Sequence, residues 1–160
     1  MNALSDEQFL GKRIGESYRL LDIVARGVTS TIFRARDERD ERIVAVKLLG
    51  ARFVGDPEAE ATFRREAAAM QRVKHPHVAG IYDSGVAAGG RAFLVMEFIK
   101  GPTLERLIRD RMRLSVAQRI DLALQTVEGL QAGLKAGVIH RDIKPANLLI
   151  DSASHLLKIV

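Results

Sequence analysis

The sequence predicts an α+β fold in two parts, a β-rich first part carrying one helix and a helical part that opens near Gly101. Three observations predict it. β-branched or apolar runs, separated by short polar or glycine-containing turns, fill residues 18–49. One helical stretch at 56–73 precedes two further strand-like runs. After the Gly101-Pro102 break the pattern turns helical, with apolar residues recurring at three- and four-residue spacing.

The elements follow in order. Residues 18–25 (YRLLDIVA), 31–37 (TIFRARD) and 42–49 (RIVAVKLL) read as strands. Residues 56–73 read as a helix, with Asp56 as N-cap, Pro57 at the first helical position and Glu58 and Glu60 at the positive end of its dipole. His75-Pro76 ends it, because proline disfavours helical geometry in the residue before it. Strands at 79–84 and 91–98 flank a turn at Gly89-Gly90. Thr103 caps a short helix, and a longer one covers 116–136, with Ser115 and Gln118 as a capping box and Gly137 at its C-terminal turn. Ile120, Ala123, Leu124, Val127, Leu130 and Leu134 share one stripe of that helix. Short strands at 147–150 and 156–159 close the chain. The predicted division is an N-terminal extension over 1–17, a first lobe with a hinge around 97–101 over 18–100, and a second part over 101–160.

Composition narrows the function classes. At 160 residues and 47% hydrophobic content the chain can bury a sizeable core. It holds no apolar run long enough to span a membrane, and its first residues lack a basic-then-apolar signal pattern. Zero cysteines exclude disulfides and thiolate metal sites, which fits a cytoplasmic protein, and the four histidines lack metal-ligand spacing. The net charge of +5 comes from scattered arginines such as Arg34, Arg36, Arg39 and Arg42, interleaved with acids. That reads as a solvated surface rather than a nucleic-acid patch.

Two positions in the first part carry chemistry. In VAVK, Ala45 and Lys47 share one face of the strand and Val44 and Val46 the other. A lysine closing an apolar strand is as readily an edge residue reaching for water as a buried charge. In the following helix Phe63, Glu66, Ala67 and Met70 fall on one face, so Glu66 is expected among apolar neighbours. A buried carboxylate calls for an opposite charge, and Lys47 is the candidate. The turn between the first two strands, VARGVTSTI, keeps a single glycine, Gly27, and by itself reads as an ordinary hairpin turn.

The segment His140 to Asn147 reads HRDIKPAN. It resembles the catalytic loop of the eukaryotic-type (Hanks-type) serine/threonine protein kinases, whose other motifs follow in order. VAVK is similar to the family's lysine strand, FRREAAAM to its regulatory helix, HPHV to the turn after that helix and LVMEFIKGPTL to its hinge. YRLLDIVARGVTSTIFRARD is similar to its glycine-rich hairpin, with Ala25, Gly27 and Ser30 where the family has three glycines. The resemblance spans residues 18–160.

The resemblance implies a two-lobe, protein-kinase-like α+β fold, ATP and Mg2+ as cofactors, and phosphoryl transfer to protein hydroxyls. Asp142 would accept or orient the proton of the substrate hydroxyl and Lys144 would stabilise the transferring phosphoryl group. Asn147 would supply a hard oxygen ligand to Mg2+. Lys47 would hold the α- and β-phosphates and Glu66 would hold Lys47. Val24, Ala25, Gly27, Ile32 and Ala45 would line the nucleotide site, with Leu149 beneath the adenine, Met96 as gatekeeper and Glu97 to Ile99 offering backbone groups to the base. Arg141 would meet a phosphorylated activation loop, and His140 would pack within its own loop. The last residues, LLKIV, resemble the strand that leads into the family's Asp-Phe-Gly. The expectation is a kinase-domain fragment without the protein-substrate region, in which ATP binds weakly, catalysis is doubtful and the 116–136 stripe lies uncovered. A non-catalytic interaction module and a truncated product without function are the alternatives.

Overall fold

The computed structural model describes residues 5–160, so the first four residues of the expected N-terminal extension lie outside it. The chain divides into two compact units, one comprising residues up to Ala68 together with Ile81–Phe98, the other Ala69–Gly80 together with Ile99–Val160.

The first unit is built on an antiparallel sheet. Its strands are β1 (Arg13–Ile14), β2 (Tyr18–Arg26), β3 (Ser30–Asp37), β4 (Ile43–Leu49), β5 (Ile81–Val86) and β6 (Ala92–Glu97). They lie in the order β1-β2-β3-β4-β6-β5. Alternation decides how the sheet is covered, because successive side chains point to opposite faces. One face carries Leu20, Phe33, Ala35, Val44, Val46, Leu48, Phe93 and Val95, all buried with Phe9 and Ile14 from the N-terminal segment. The other carries Leu49, Ala92 and Leu94, against which helix α1 (Pro57–Met70) packs Phe63 and Ala67. Lys47 and Ala45 belong to this second face, since Lys47 pairs with Leu94 and Ala45 with Met96 across the ladder.

Helix α1 begins as expected, with the Asp56 carboxylate accepting from the backbone N–H groups of Glu58 and Ala59 at 3.0 Å. It stops at Met70, three residues early, where N–H groups of Arg72 and Val73 turn back to the carbonyls of Ala69 and Met70. The strand expected at 79–84 starts later, at Ile81, because the Ala79 N–H is taken by the Ile159 carbonyl. The two-residue strand β1, paired with Tyr18 and Arg19, has no apolar alternation to announce it.

The second unit holds α2 (Leu104–Arg109), α3 (Val116–Lys135) and the pair β7 (Leu148–Ile150) and β8 (Leu157–Ile159). Thr103 caps α2, and the Ser115–Gln118 capping box closes in both directions. Leu148, Leu157 and Ile159 form the small core, with Leu104, Leu122 and Leu130 against it. Of the six stripe residues read from the sequence, only Leu130 joins this core. Ile120, Leu124, Val127 and Leu134 are 55–65% exposed, and Ala123 is exposed too. The cause is Gly129, where an added Cβ would lie 2.8 Å from Ile159 Cδ1 and 2.9 Å from the His77 carbonyl oxygen. Close approach at that glycine turns its side of α3 inward. No helix among the described residues is long and apolar enough to cross a membrane.

Candidate functional site

In the first unit the ladder collects the expected nucleotide residues on the α1 face of the sheet. Ala25 pairs with Ile32, Ile32 with Lys47, and Ala45 with Met96. Directly opposed residues share a face, so Ile32, Ala45, Lys47 and Met96 form one contiguous patch. Ala45 and Met96 are buried at 5% and 7% exposure, while Ile32 and Glu97 are half-buried. Val24 sits in the register shift between Ile23 and Ala25, a bulge that leaves it 52% exposed. Gly27 donates its N–H to the Ser30 carbonyl at 2.8 Å and closes the tip.

Lys47 and Glu66 line one cavity of about 320 Å3, together with Thr29, Asp56, Glu58 and Phe63. They form no ion pair, which corrects the expected contact. The Lys47 ammonium stands 6.0 Å from the Phe63 ring centroid, and Glu66 is exposed. Helix phase explains this. Phe63 and Ala67 take the sheet-facing stripe, which sets Glu66 about 60° to one side of Phe63 and about 100° from Ala67. A carboxylate on that flank stays hydrated and needs no partner.

In the second unit the catalytic-loop residues are joined directly. Lys144 Nζ donates to Asp142 Oδ2 at 2.7 Å. Asn147 Nδ2 donates to the same oxygen at 3.1 Å and to the Asp142 carbonyl at 2.8 Å. The hydrogen bond from Lys144, and then that from Asn147, hold the Asp142 carboxyl below the usual carboxylate range. The loop is shaped by Arg141 at φ 64°, by the Asp142 N–H donating to His140 Nδ1 at 3.3 Å and by His140 Nε2 lying 3.2 Å from the Val160 carbonyl. The short 3-10 turn Pro145–Asn147 then feeds β7. Because both amide hydrogens of Asn147 face Asp142, its Oδ1 is the atom left to face a cation, the hard oxygen donor that Mg2+ takes.

Leu149, half-buried in β7, pairs with Lys158 and bridges to Thr103. Ile99 is buried at 6% exposure. His77 is buried as well, its Nδ1 lying 2.9 Å from the Leu157 carbonyl. Sequence reading passed over a cluster beside the β2–β3 turn, where Asp6, Arg26, Thr31 and Arg91 meet. These residues stand up to 85 positions apart, and no spacing rule connects them.

The chain is similar to known protein kinases in sequence and in fold. The protein kinase domain model matches residues 18–160. A probable serine/threonine-protein kinase of Bifidobacterium longum is 36% identical over 142 residues, 87% of this chain and 19% of that protein. The serine/threonine-protein kinase PknA of Mycobacterium tuberculosis is 37% identical over 145 residues, 88% of this chain and 34% of that protein. The chain thus spans about a fifth to a third of the curated relatives it matches. Among solved structures, the PknI kinase domain of Mycobacterium tuberculosis superimposes with a TM-score of 0.80 at 21% identity, covering 98% of this chain and 62% of that one. At that identity the likeness concerns the fold.

Proposed function

Because the chain belongs to the protein kinase domain family, among its Hanks-type serine/threonine members, we propose that it carries the ATP-binding and catalytic-loop chemistry of phosphoryl transfer from ATP to protein hydroxyls. We assign residues 18–100 to the small lobe and hinge, and 101–160 to part of the large lobe. The observation that carries the proposal is the Asp142 carboxylate held at once by Lys144 and Asn147. Phosphoryl transfer needs positioning and charge neutralisation more than covalent chemistry, and this loop supplies both kinds of group.

The roles follow from each side chain's chemistry. Asp142 stays ionised at neutral pH and orients the acceptor hydroxyl by taking its hydrogen bond. Lys144 holds its ammonium against Asp142 Oδ2, beside the carboxylate that would take the hydroxyl, where it would neutralise the phosphoryl group in transit. Asn147 Oδ1 would hold Mg2+, which supplies neutralisation of phosphate charge when bound. In the first unit Val24, Ile32, Ala45 and Met96 would pack on the adenine, with the Glu97–Ile99 backbone offered to its edge. Lys47, half-buried and without a carboxylate partner, is the cation for phosphate oxygens. Glu66 lines the same cavity without pairing with Lys47, so it would act on Lys47 once α1 changes its phase or position.

Thermal unfolding with and without Mg-ATP tests the reading. A small rise in the melting temperature is expected for the native chain, and Lys47→Ala should abolish it. A large rise that survives Lys47→Ala would remove the assigned site.

A further inference from the structure

We infer that Asp6 is a positioning residue for the hairpin β2–β3, clamping the last cross-strand pair before the loop that, on the function proposed above, faces the phosphates. Arg26 and Thr31 are that pair, directly opposed where β2 and β3 converge on residues 27–30. The Asp6 carboxylate binds both. Its Oδ2 accepts from Arg26 Nη1 at 2.9 Å and from Thr31 Oγ1 at 2.5 Å. Its Oδ1 accepts from Arg91 Nη2 at 2.7 Å. Glu7 adds a second carboxylate on Arg26 at 2.5 Å.

The clamp reaches further than one hairpin. Arg91 is 1% exposed, and its Nε donates to the Leu49 carbonyl at 2.7 Å, at the end of the strand that carries Lys47. Its guanidinium lies 5.1 Å from the ring centroid of Phe9, which is itself 2% exposed and roots the N-terminal segment in the core. The loop is also tied from the opposite side, where the Gly50 N–H donates to the Thr29 carbonyl at 2.8 Å and Arg52 donates to the Val28 carbonyl. So a turn with a single glycine is braced from both flanks.

A braced loop loses little conformational entropy when a triphosphate binds, and preorganisation of that kind shows as affinity. The carboxylates also draw Arg26, next to Gly27, toward the N-terminal segment. The effect should fall on the phosphates alone, because the adenine patch at Ala45 and Met96 lies elsewhere on the sheet.

The test is calorimetric binding of Mg-ATP and, separately, of adenosine to the native chain, Asp6→Asn, Thr31→Val and Thr31→Ser. Losing a hydrogen bond to a charged group should weaken Mg-ATP by about fivefold or more in Asp6→Asn and Thr31→Val, while adenosine changes by less than about twofold and Thr31→Ser stays near native. Thr31→Val keeps its shape and frees no charge, so it decides the matter even if Asp6→Asn fails to fold. Native Mg-ATP affinity in both variants, or an equal loss for adenosine, would overturn the positioning role alone. A native chain that binds neither ligand would overturn the nucleotide reading and the clamp with it.

Discussion

At Gly101 a methyl group would fall 1.8 Å from the Ile150 carbonyl oxygen, so the chain after the first unit depends on one hydrogen atom in place of a side chain. Backbone bonds from Ile150 to Pro102 and from Ser152 to Lys100 close on both sides of that contact. Tyr18 shows the same dependence on neighbours in its chemistry. Its hydroxyl donates to Asp83 Oδ2 at 2.9 Å and accepts from Arg39 Nη2 at 2.7 Å. Burial, and then the Asp83 carboxylate, push the phenol up to about 12. The fold therefore holds the phenolic proton more tightly than the unfolded chain, which releases it near about 10. The resulting stability is complete below that pH and is lost as pH rises from about 10 toward about 12. Urea midpoints should fall across that window, and the fall should be shallower in Tyr18→Phe. Equal slopes in the two proteins would show that the phenol contributes nothing to it.

Among the elements, α3 and α1 differ in what decides their packing. Helix α3 starts where local chemistry says, because Ser115 Oγ accepts from the Gln118 N–H at 3.1 Å and Gln118 Oε1 accepts from the Ser115 N–H at 2.9 Å. Those bonds lie within four residues, and a reader of sequence can see them. Ser115→Ala should cost about 1 kcal/mol, read by urea denaturation of the second unit's helix signal, since it orphans a first-turn N–H. No change would mean that solvent serves the N–H equally well. The uncovered stripe of α3 was expected from the sequence, and four of its six residues are indeed 55–65% exposed; the side that packs instead was not legible. It is chosen by the close approach at Gly129 to Ile159 and His77, two segments far away in sequence, and that choice leaves Ile120, Leu124 and Val127 outward. Helix α1 repeats the lesson. Its phase is set by Phe63 and Ala67 against Leu49 and Leu94, which moves Glu66 off the face where its charge would have needed Lys47.

Across the whole molecule the two units are unequally supported. The first buries two clusters on opposite faces of one sheet, including Tyr18, Leu20, Phe33, Val44, Val46, Leu48 and Val95 at 0–1% exposure. The second rests on Leu148, Leu157 and Ile159 with three partly buried leucines. Local opening follows the amount of apolar surface holding a region closed. Amides of α3 should therefore exchange hydrogen well before those of β3 and β4, and a mass-resolved exchange series on the native chain would read the difference. Simultaneous exchange of both sets would mean that the molecule opens as one cooperative body.

Strand alternation, proline and glycine positions, helix caps and the run HRDIKPAN are contacts between near neighbours, so the order of elements and the identity of the catalytic loop could be read along the chain. Register and helix phase depend on groups that meet only after the chain has folded back. Those meetings left Glu66 and Lys47 in one cavity without an ion pair, turned α3 onto Gly129, and brought Asp6 to Arg26, Thr31 and Arg91. The physical reason is range: a hydrogen bond or a van der Waals contact acts over a few ångströms, and only tertiary packing brings residues that are distant in sequence within that distance.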